Sequence, residues 1–342
     1  MKQAVMTSPG HIEFRDVPVP EPAPGEVLVR MMRIGVCGSD IHVYHGTHPL
    51  TPYPVVQGHE VSGTVERVGK GVRTFHTGEH VTIQPQVFCG SCYPCRHGSY
   101  HICDNLKVMG FQTTGAASEF FAVDQSKLLK LPGGMSFDHG AMMEPLAVAV
   151  HAIERGGEVA GKRVLVLGAG PIGNLTAQTA KGLGASAVMI TDLSERRLRL
   201  ARECGIDFAV NTAEERLVEA VARDFGPDKA DLILECVGAR PTIEQAILTA
   251  RKGSDIIIVG VFGEKPPIDL ALVQDRELRL IGTLMYQARH WERAIELAEA
   301  SKVHLQPLLT NAFPFGDYKR AYELIEADRD RAMKVMIHVD ET

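Results

Sequence analysis

The sequence contains no long apolar run and no strong excess of one charge. None of its segments approaches the roughly 18 uninterrupted apolar residues of a membrane-spanning helix, and residues 1–10 lack the apolar core of a signal peptide. Its 36 basic and 42 acidic side chains leave a formal charge of −6, which offers no broad attraction to nucleic acid or anionic lipid. We therefore expect a cytoplasmic protein with neither nucleic acid nor a membrane as its partner.

The cysteines do not indicate a disulfide framework. Their number, seven, is odd, no export signal is present, and four of them follow the spacing Cys89-x2-Cys92-x2-Cys95-x7-Cys103. Four thiolates complete a tetrahedral shell and leave no position for a substrate, so the pattern predicts a structural zinc site. An iron–sulfur cluster uses the same ligands and is the alternative.

A zinc ribbon that binds nucleic acid also contains four cysteines. Between Cys89 and Cys103, however, Arg96 is the only formally cationic residue, with His97 and His101 nearby. A segment with so little positive charge would make few phosphate contacts, so we disfavour this class of function.

The length of 342 residues and a change of pattern along the chain predict two domains. From Val27 to Val81, short β-branched runs alternate with glycine, which is typical of a barrel-like all-β domain. From Arg163 onward, apolar strands alternate with helix-length segments, which predicts a doubly wound parallel sheet over residues 149–280. We assign residues 1–148 and 281–342 to the first domain, including helices at 291–300 and 318–327 and a closing strand at 334–337.

Gly168, Gly170 and Gly173 form a G-x-G-x-x-G pattern that follows the strand Arg163–Leu167 and opens a helix. In this context the first glycine permits a tight turn and the second lets a pyrophosphate approach the backbone. The third lets the helix pack closely on the strand. The pattern therefore predicts a dinucleotide site.

Asp192 ends the second strand of this predicted sheet. A carboxylate there can accept hydrogen bonds from both adenosine ribose hydroxyls and would repel a 2′-phosphate, so NAD is favoured over NADP. Arg196 and Arg197 lie close by and could soften this preference. The alternative for Asp192 is a role as a helix N-cap ahead of Ser194.

A second set of metal-ligating residue types is scattered along the chain. It consists of Cys37, His59 with Glu60, and Glu144. Mixed sulfur, nitrogen and oxygen ligands from distant segments are what an open catalytic zinc site requires. Each residue also has an ordinary structural alternative, because Cys37 and His59 could be core residues and Glu144 could cap a helix.

These motifs occur in a recognisable order over essentially the whole chain. The ordered motifs are Gly35-Val-Cys37-Gly-Ser39-Asp40-Ile-His42, Gly58-His59-Glu60, the four cysteines, Glu144-Pro-Leu-Ala-Val-Ala-Val-His151-Ala and Gly168-Ala-Gly-Pro-Ile-Gly173. The sequence resembles the zinc-dependent medium-chain dehydrogenases, especially the sorbitol (polyol) dehydrogenase branch. One departure is Met285, where sorbitol-type members commonly have an arginine before the tyrosine matched by Tyr286.

The resemblance implies an α/β protein with a GroES-like β-barrel catalytic domain and a Rossmann domain, the active site lying in the cleft between them. It also implies a four-cysteine zinc lobe at about residues 86–106 and assembly as a homotetramer or dimer. Cys37, His59 and Glu60 would bind catalytic zinc, and Glu144 would bind it directly or through water. The residues implied to contact the cofactor are Gly168, Gly170, Pro171, Ile172, Gly173, Asp192, Arg197, Val237, Val259, Gly260, Val261 and Tyr286.

The expected function is an NAD-linked oxidation, with two zinc ions per subunit, of a secondary alcohol on a polyol, sugar acid or similar small substrate. Ser39, two residues from a ligand, is placed to pass the alcohol proton outward, with a nicotinamide-ribose hydroxyl and His42 as later members of the relay. The alternative for Ser39 is an ordinary loop hydroxyl. L-threonine 3-dehydrogenase is the alternative activity. A zinc-free NADPH reductase of the same fold and an NAD-sensing regulatory protein are the less favoured alternatives.

Overall fold

The computed structural model describes residues 1–328 and 330–340. The chain divides into two compact units, which we call unit 1 (Met1–Glu144 with Leu309–Thr342) and unit 2 (Pro145–Leu308). Each unit contains its own sheet and its own buried apolar core.

The chain forms most of unit 1 first, then all of unit 2, and then returns to complete unit 1. The strands are β1 Lys2–Ser8, β2 His11–Asp16, β3 Glu26–Val36, β4 Glu60–Val68, β5 His80–Ile83, β6 Gln86–Val87, β7 Lys107–Val108, β8 Phe120–Asp124, β9 Leu128–Lys130, β10 Arg163–Leu167, β11 Ala187–Asp192, β12 Phe208–Asn211, β13 Ala230–Glu235, β14 Ala250–Ile258, β15 Arg279–Gly282, β16 Leu309–Pro314 and β17 Lys334–His338. The α-helices are α1 Gly38–Tyr44, α2 Tyr93–Arg96, α3 Phe137–Ala141, α4 Met143–Arg155, α5 Pro171–Gly182, α6 Glu195–Glu203, α7 Leu217–Asp224, α8 Arg240–Thr249, α9 Leu270–Asp275, α10 Ala288–Glu299 and α11 Tyr318–Ala327.

Unit 1 is built on a seven-stranded sheet in the order β16-β17-β3-β4-β5-β9, with β8 also pairing with β3. The central strand β3 is antiparallel to β4, β8 and β17. Alternate residues of β3 such as Val27, Val29 and Met31 enter the core of the unit, as expected where one face of a strand is buried. The predicted all-β domain closed by strand β17 is therefore confirmed.

Unit 2 contains a six-stranded sheet in the order β12-β11-β10-β13-β14-β15, all of whose pairs are parallel. In β10, Val164 and Val166 enter one apolar cluster while Leu165 and Leu167 enter the other. Helices cover both faces of such a sheet, which explains why its strands read as continuous apolar runs. The predicted doubly wound parallel sheet is confirmed.

Residues 281–308 belong to unit 2, whereas the sequence prediction placed them in the first domain. The reason lies in helix α10, whose apolar face buries Trp291 and Leu297. Leu297 lies beside α5 at Gly182, and the side chain of Gln178 accepts a 2.6 Å hydrogen bond from the backbone of His304. Only the segment from Leu309 onward returns to unit 1.

No helix in the described part of the chain is long and apolar enough to cross a membrane.

The core of unit 2 provides a test of this architecture. Leu234 in β13 is completely buried, whereas Leu248 in α8 is half exposed. We expect Leu234→Ala to lower the free energy of unfolding of unit 2 by about 2–5 kcal/mol, because it leaves a cavity between sheet and helices. Leu248→Ala, the matched control, should change it by less than about 0.5 kcal/mol. Trp291, the single tryptophan, lies in unit 2, so urea unfolding followed by its fluorescence measures both effects; equal effects would contradict the assigned core.

Candidate metal centres and dinucleotide site

Three of the scattered candidate ligands meet in unit 1. Cys37, His59 and Glu60 have ligand atoms that all lie within 4.8 Å of one another. His59 and Glu60 are buried and Cys37 is partly buried. We call this group the three-ligand centre. It brings one sulfur, one nitrogen and one carboxylate oxygen together, a donor set suited to zinc.

Strand pairing explains why these distant residues meet. In the antiparallel register of β3 with β4, Gly35 lies opposite Glu60, and Cys37 follows the end of β3. The close approach needs glycine, because a Cβ at position 35 would lie 2.4 Å from Oε2 of Glu60. Gly58, with φ of +92°, turns the chain into His59 where a side chain would be strained.

Asp40 organises the inner side of the centre. Its carboxylate accepts hydrogen bonds from the backbone N–H of Cys37 at 2.9 Å and from the side chain of Gln57 at 3.0 Å. Oδ1 also lies 3.5 Å from Nδ1 of His59. Burial alone would lower the pKa of His59, but Asp40, assisted by Cys37, raises the pKa well above its ordinary value. An imidazole that turns Nδ1 towards a carboxylate offers Nε2 to a metal.

Lys334 holds the carboxylate of Glu60. Its Nζ donates to Oε1 at 2.7 Å and to Oε2 at 2.6 Å, and both side chains are at most 3% exposed. Burial would lower the pKa of Lys334, but the negative charge of Glu60 outweighs it and raises the pKa. The ammonium group therefore remains charged beside a candidate ligand.

Glu144, Ser39 and His42 occupy different positions around this centre. Glu144 is buried in the first turn of α4, close enough for its charge to act on Lys334, but it is not one of the residues grouped within 4.8 Å. Ser39 is partly buried and His42 is exposed, and both lie on α1. Their spacing of three residues places them on one face of that helix. The roles predicted for these three residues stay predictions.

Sequence reasoning gave no role to several residues around the centre. The main examples are Asp40, Gln57, Lys334 and Tyr322, whose hydroxyl donates to Oε1 of Gln57 at 2.9 Å. Burial also raises the pKa of Tyr322 well above its ordinary value. A signal was available for Lys334, since a lysine in an apolar closing strand requires a buried anionic partner.

The four cysteines predicted to bind metal come together on the segment containing β6, α2 and β7. Their sulfur atoms all lie within 4.8 Å of one another, and Sγ of Cys103 is 3.5 Å from that of Cys89 and 3.7 Å from that of Cys92. A tetrahedral zinc site with 2.3 Å Zn–S bonds has edges of about 3.8 Å. Hydrogen bonds from Ser91 and Cys92 lower the pKa of Cys89 to about 5, whereas burial raises the pKa of Cys95 to about 12. The arrangement therefore fits zinc; we call it the cysteine lobe.

The glycine pattern occupies the turn between β10 and α5 in unit 2. Gly168 has φ of +96°, and α5 begins at Pro171, directly after the N-cap residue Gly170. A Cβ on Gly173 would lie 1.8 Å from the carbonyl oxygen of Gly168, whereas one on Gly170 would meet no atom within 4 Å. The positive φ of Gly168 and the tight space at Gly173 agree with a turn and with close packing, and the approach of a pyrophosphate to Gly170 stays a prediction.

Asp192 is fixed at the end of β11. Its Oδ2 accepts from the backbone N–H of Ala169 at 2.8 Å, its Oδ1 accepts from that of Ser194 at 2.9 Å, and Arg197 lies 3.7 Å away. The N-cap alternative is wrong, because the residue that caps α6 is Ser194, whose hydroxyl accepts from the N–H of Arg197. A carboxylate has further lone pairs, so these bonds leave acceptor capacity for a ligand.

The other residues predicted to contact the cofactor divide into two groups. Val237, Val259, Gly260 and Val261 follow β13 and β14, and therefore lie at the carboxyl edge of the sheet with the glycine turn. Val237 also lies close to Gly168, since a Cβ added to Gly168 would be 2.5 Å from a methyl group of Val237. The side chain of Tyr286, in contrast, is fully buried against Trp291 with ring centroids 5.6 Å apart. Its predicted cofactor contact stays a prediction, as does that of Ile172 at the start of α5.

Comparison with protein families gives two matches. The family of the alcohol dehydrogenase GroES-like domain matches residues 23–133, and the zinc-binding dehydrogenase family matches residues 171–300. The first match lies in unit 1 and confirms the expected GroES-like domain. The second covers most of the parallel sheet.

Several named relatives match nearly the full chain. One is 2-dehydro-3-deoxy-L-galactonate 5-dehydrogenase from Pseudoalteromonas atlantica, 36% identical over 92% of each chain. Human sorbitol dehydrogenase is 34% identical over 98% of this chain and 95% of its own. L-threonine 3-dehydrogenase from Pyrococcus horikoshii is 32% identical, with 98% and 99% covered.

Two solved structures share the fold. An alcohol dehydrogenase from Escherichia coli CFT073, determined with NADH, superposes with a TM-score of 0.92, 30% identity and 99% of both chains covered. A zinc-binding dehydrogenase from Sinorhizobium meliloti 1021, determined with NADP, superposes with a TM-score of 0.90, 32% identity and 98% of both chains covered. Neighbours of this chain thus bind both forms of the nicotinamide dinucleotide.

The cysteine lobe can be tested through metal content. We expect Cys92→Ser to lose about one zinc per chain and to lower the thermal midpoint by about 5 °C or more, because four thiolates replace the core that so short a segment lacks. Cys204→Ser, which changes a buried cysteine outside both metal groups, is the matched control and should retain all metal. Metal analysis and thermal unfolding measure the result; full zinc content in Cys92→Ser would show that the lobe is not a zinc site.

Proposed function

This chain belongs to the zinc-dependent medium-chain dehydrogenases, and on that premise we propose that it oxidises a secondary alcohol of a polyol, sugar acid or similar polar substrate to the ketone with NAD. One observation carries the proposal, namely the meeting of Cys37, His59 and Glu60 within 4.8 Å. An open site with mixed ligands suits catalysis, whereas the all-thiolate cysteine lobe suits a structural metal. We therefore assign one catalytic and one structural zinc ion to each subunit.

In the proposed reaction the alcohol and NAD give the ketone, NADH and one proton. The bound zinc ion supplies Lewis acidity that lowers the pKa of an alcohol, and the dinucleotide supplies the hydride acceptor. Cys37, His59 and Glu60 hold the metal, with Glu144 as a direct or water-mediated fourth ligand. Asp40 orients His59 through the contact at Nδ1.

The chain must also remove the proton of the alcohol. Ser39 lies two residues from Cys37, and its hydroxyl can accept that proton while releasing its own. His42 lies one helical turn further along α1 and is exposed, so it can pass the proton to solvent. In this proposal Ser39 and His42 form the route by which the proton passes from the three-ligand centre to water.

Asp192 supports NAD as the preferred cofactor. Its carboxylate is held in place by two backbone hydrogen bonds at the carboxyl edge of the sheet. A fixed negative charge there favours the ribose hydroxyls and disfavours a 2′-phosphate. Arg197, 3.7 Å away, weakens this charge without removing it.

The substrate class rests on the relatives, which act on sorbitol and on a deoxygalactonate, as their names state. Met285 replaces the arginine expected in sorbitol-type members, so we do not restrict the substrate to sorbitol. L-threonine is the second candidate, since a threonine dehydrogenase is also a relative. A zinc-free NADPH reductase is disfavoured because both metal-ligand groups are assembled. From the family resemblance we also propose that the chain assembles as a homotetramer or dimer.

Activity of the three-ligand centre gives the primary test. The zinc-loaded protein should form NADH in a screen of polyols, sugar acids, threonine and simple alcohols, with the highest rates on polyols or sugar acids. Cys37→Ser should lower kcat/KM by about 10³-fold or more and lose about one zinc, because it removes a ligand of the catalytic metal. Cys204→Ser, outside both metal groups, is the control. Normal turnover with full zinc content in Cys37→Ser would refute the assignment, and a preference for threonine would select the second candidate.

Cofactor choice is tested separately at Asp192. We expect Asp192→Ala to lower the ratio of kcat/KM with NAD to kcat/KM with NADP by about tenfold or more, because a repulsive charge is removed. The ratio is the informative quantity, since loss of the bond to Ala169 also loosens the glycine turn for both cofactors. Ser194→Ala, which removes only the cap of α6, should leave the ratio unchanged. An unchanged ratio in Asp192→Ala would contradict its role in cofactor choice.

A further inference from the structure

The ion pair between Glu60 and Lys334 has no part in the proton or hydride movements described above. It is nevertheless one of the most buried charged contacts in unit 1, and it involves a proposed metal ligand. Lys334 donates to both oxygens of Glu60 and lies 3.4 Å from the carbonyl oxygen of Val36. The carboxylate oxygens that would face a metal are thus already engaged by an ammonium group.

A purely structural role explains this pair poorly. Removing two charges from water costs several kcal/mol per ion, and apolar residues of similar volume usually stabilise a fold equally well. Strand β17 already pairs with β3, with Val335 opposite Val36 and Met336 opposite Gly35. The cost of a charged Glu60 is therefore explained by its use as a ligand, and Lys334 then determines how that ligand behaves.

The surrounding strands hold the carboxylate at this position. Gly35 provides space for it, because a Cβ there would overlap Oε2 of Glu60. In the antiparallel register of β17 with β3, Val335 lies opposite Val36. Lys334, the residue before Val335, therefore lies at the end of β3 that leads into Cys37. Three strands thus fix the carboxylate, the space beside it and the ammonium group.

The negative charges near Lys334 also support a role for its ammonium group at the metal centre. Glu60, Cys37 and Glu144 all lie close enough for their negative charges to act on it. The positive charge of Lys334 offsets one of these negative charges. Without Lys334 the centre would be one unit more negative and would attract a metal cation more strongly.

We propose that Lys334 is a positioning residue of the metal centre, whose ammonium group competes with the metal for the Glu60 carboxylate and so limits how tightly Glu60 binds it. This inference rests on the proposed role of Glu60 as a ligand. Its consequence is that one coordination position is kept accessible to substrate. Loss of Lys334 would free the second carboxylate oxygen of Glu60 to bind the metal as well and so to occupy that position.

The test measures metal binding without substrate. Co²⁺ affinity is determined at pH 8 by competition with a chelator, in protein whose cysteine lobe retains zinc, and the absorption spectrum of Co²⁺ reports its coordination. We expect Lys334→Met to bind Co²⁺ about tenfold more tightly or better and to change the spectrum, because Glu60 is released to the metal. Lys334→Arg, which keeps the charge, should stay within about threefold of the unchanged protein.

A second background shows whether the effect passes through Glu60. In Glu60→Gln protein, adding Lys334→Met should change Co²⁺ affinity by less than about threefold, since the competition no longer exists. Weaker or unchanged binding in Lys334→Met, or the same tightening in both backgrounds, would overturn the proposal. If Lys334→Met does not fold, Lys334→Gln, which keeps a hydrogen-bond donor but no charge, takes its place with the same expected results.

The matched control is Lys130→Met. Lys130 forms a 2.6 Å pair with Glu79 on the surface of the same unit, and its loss should leave Co²⁺ affinity and spectrum unchanged. Because neither an alcohol nor NAD is present, a wrong substrate class would not affect this measurement. A failed metal result would likewise leave the outcome of the NADH-formation screen standing.

Discussion

The antiparallel pairing of Gly35 with Glu60 is the constraint on which the three-ligand centre depends. It places the end of β3, and therefore Cys37, beside the start of β4, where His59 and Glu60 follow one another. A slip of one residue in this register would turn Glu60 to the opposite face of the sheet. Backbone pairing therefore determines where the centre lies, and the side chains at that position supply its chemistry.

Unit 2 uses a different constraint for the dinucleotide. In a parallel sheet the carboxyl ends of all strands meet at one edge, so the turns after β10, β11, β13 and β14 are brought together whatever their sequences. The buried carboxylate of Glu235 then shapes one of them by accepting hydrogen bonds from the backbone of Val237 and Gly238. Asp192 does the same for the glycine turn through Ala169. Both acidic side chains therefore hold loop backbone in place, and Asp192 also keeps hydrogen-bond acceptor capacity for a ligand.

Local patterns were sufficient to predict the regular elements, but contacts between distant segments were not visible in them. The strand Arg163–Leu167 and the helix Tyr318–Ala327 were predicted residue for residue, because apolar periodicity is a local property. Residues 281–308 were assigned to the wrong side of the division, since an amphipathic helix shows that it has an apolar face but not which core accepts it. Candidate metal ligands were recognisable by residue type, whereas the partners Asp40 and Lys334 depend on register and burial.

The supports of the three-ligand centre come from both ends of the chain. Lys334 on β17 holds Glu60, and Tyr322 on α11 holds Gln57, which in turn holds Asp40 behind His59. All of unit 2, Pro145–Leu308, is inserted between the ligands and these supports. Such long-range contacts form only after a large loop has closed, and their entropic cost must be met by the contacts themselves. A centre organised in this way is complete only when the last strand has joined the sheet, so its metal-binding geometry depends on the folding of unit 1 as a whole and not on the ligand segment alone.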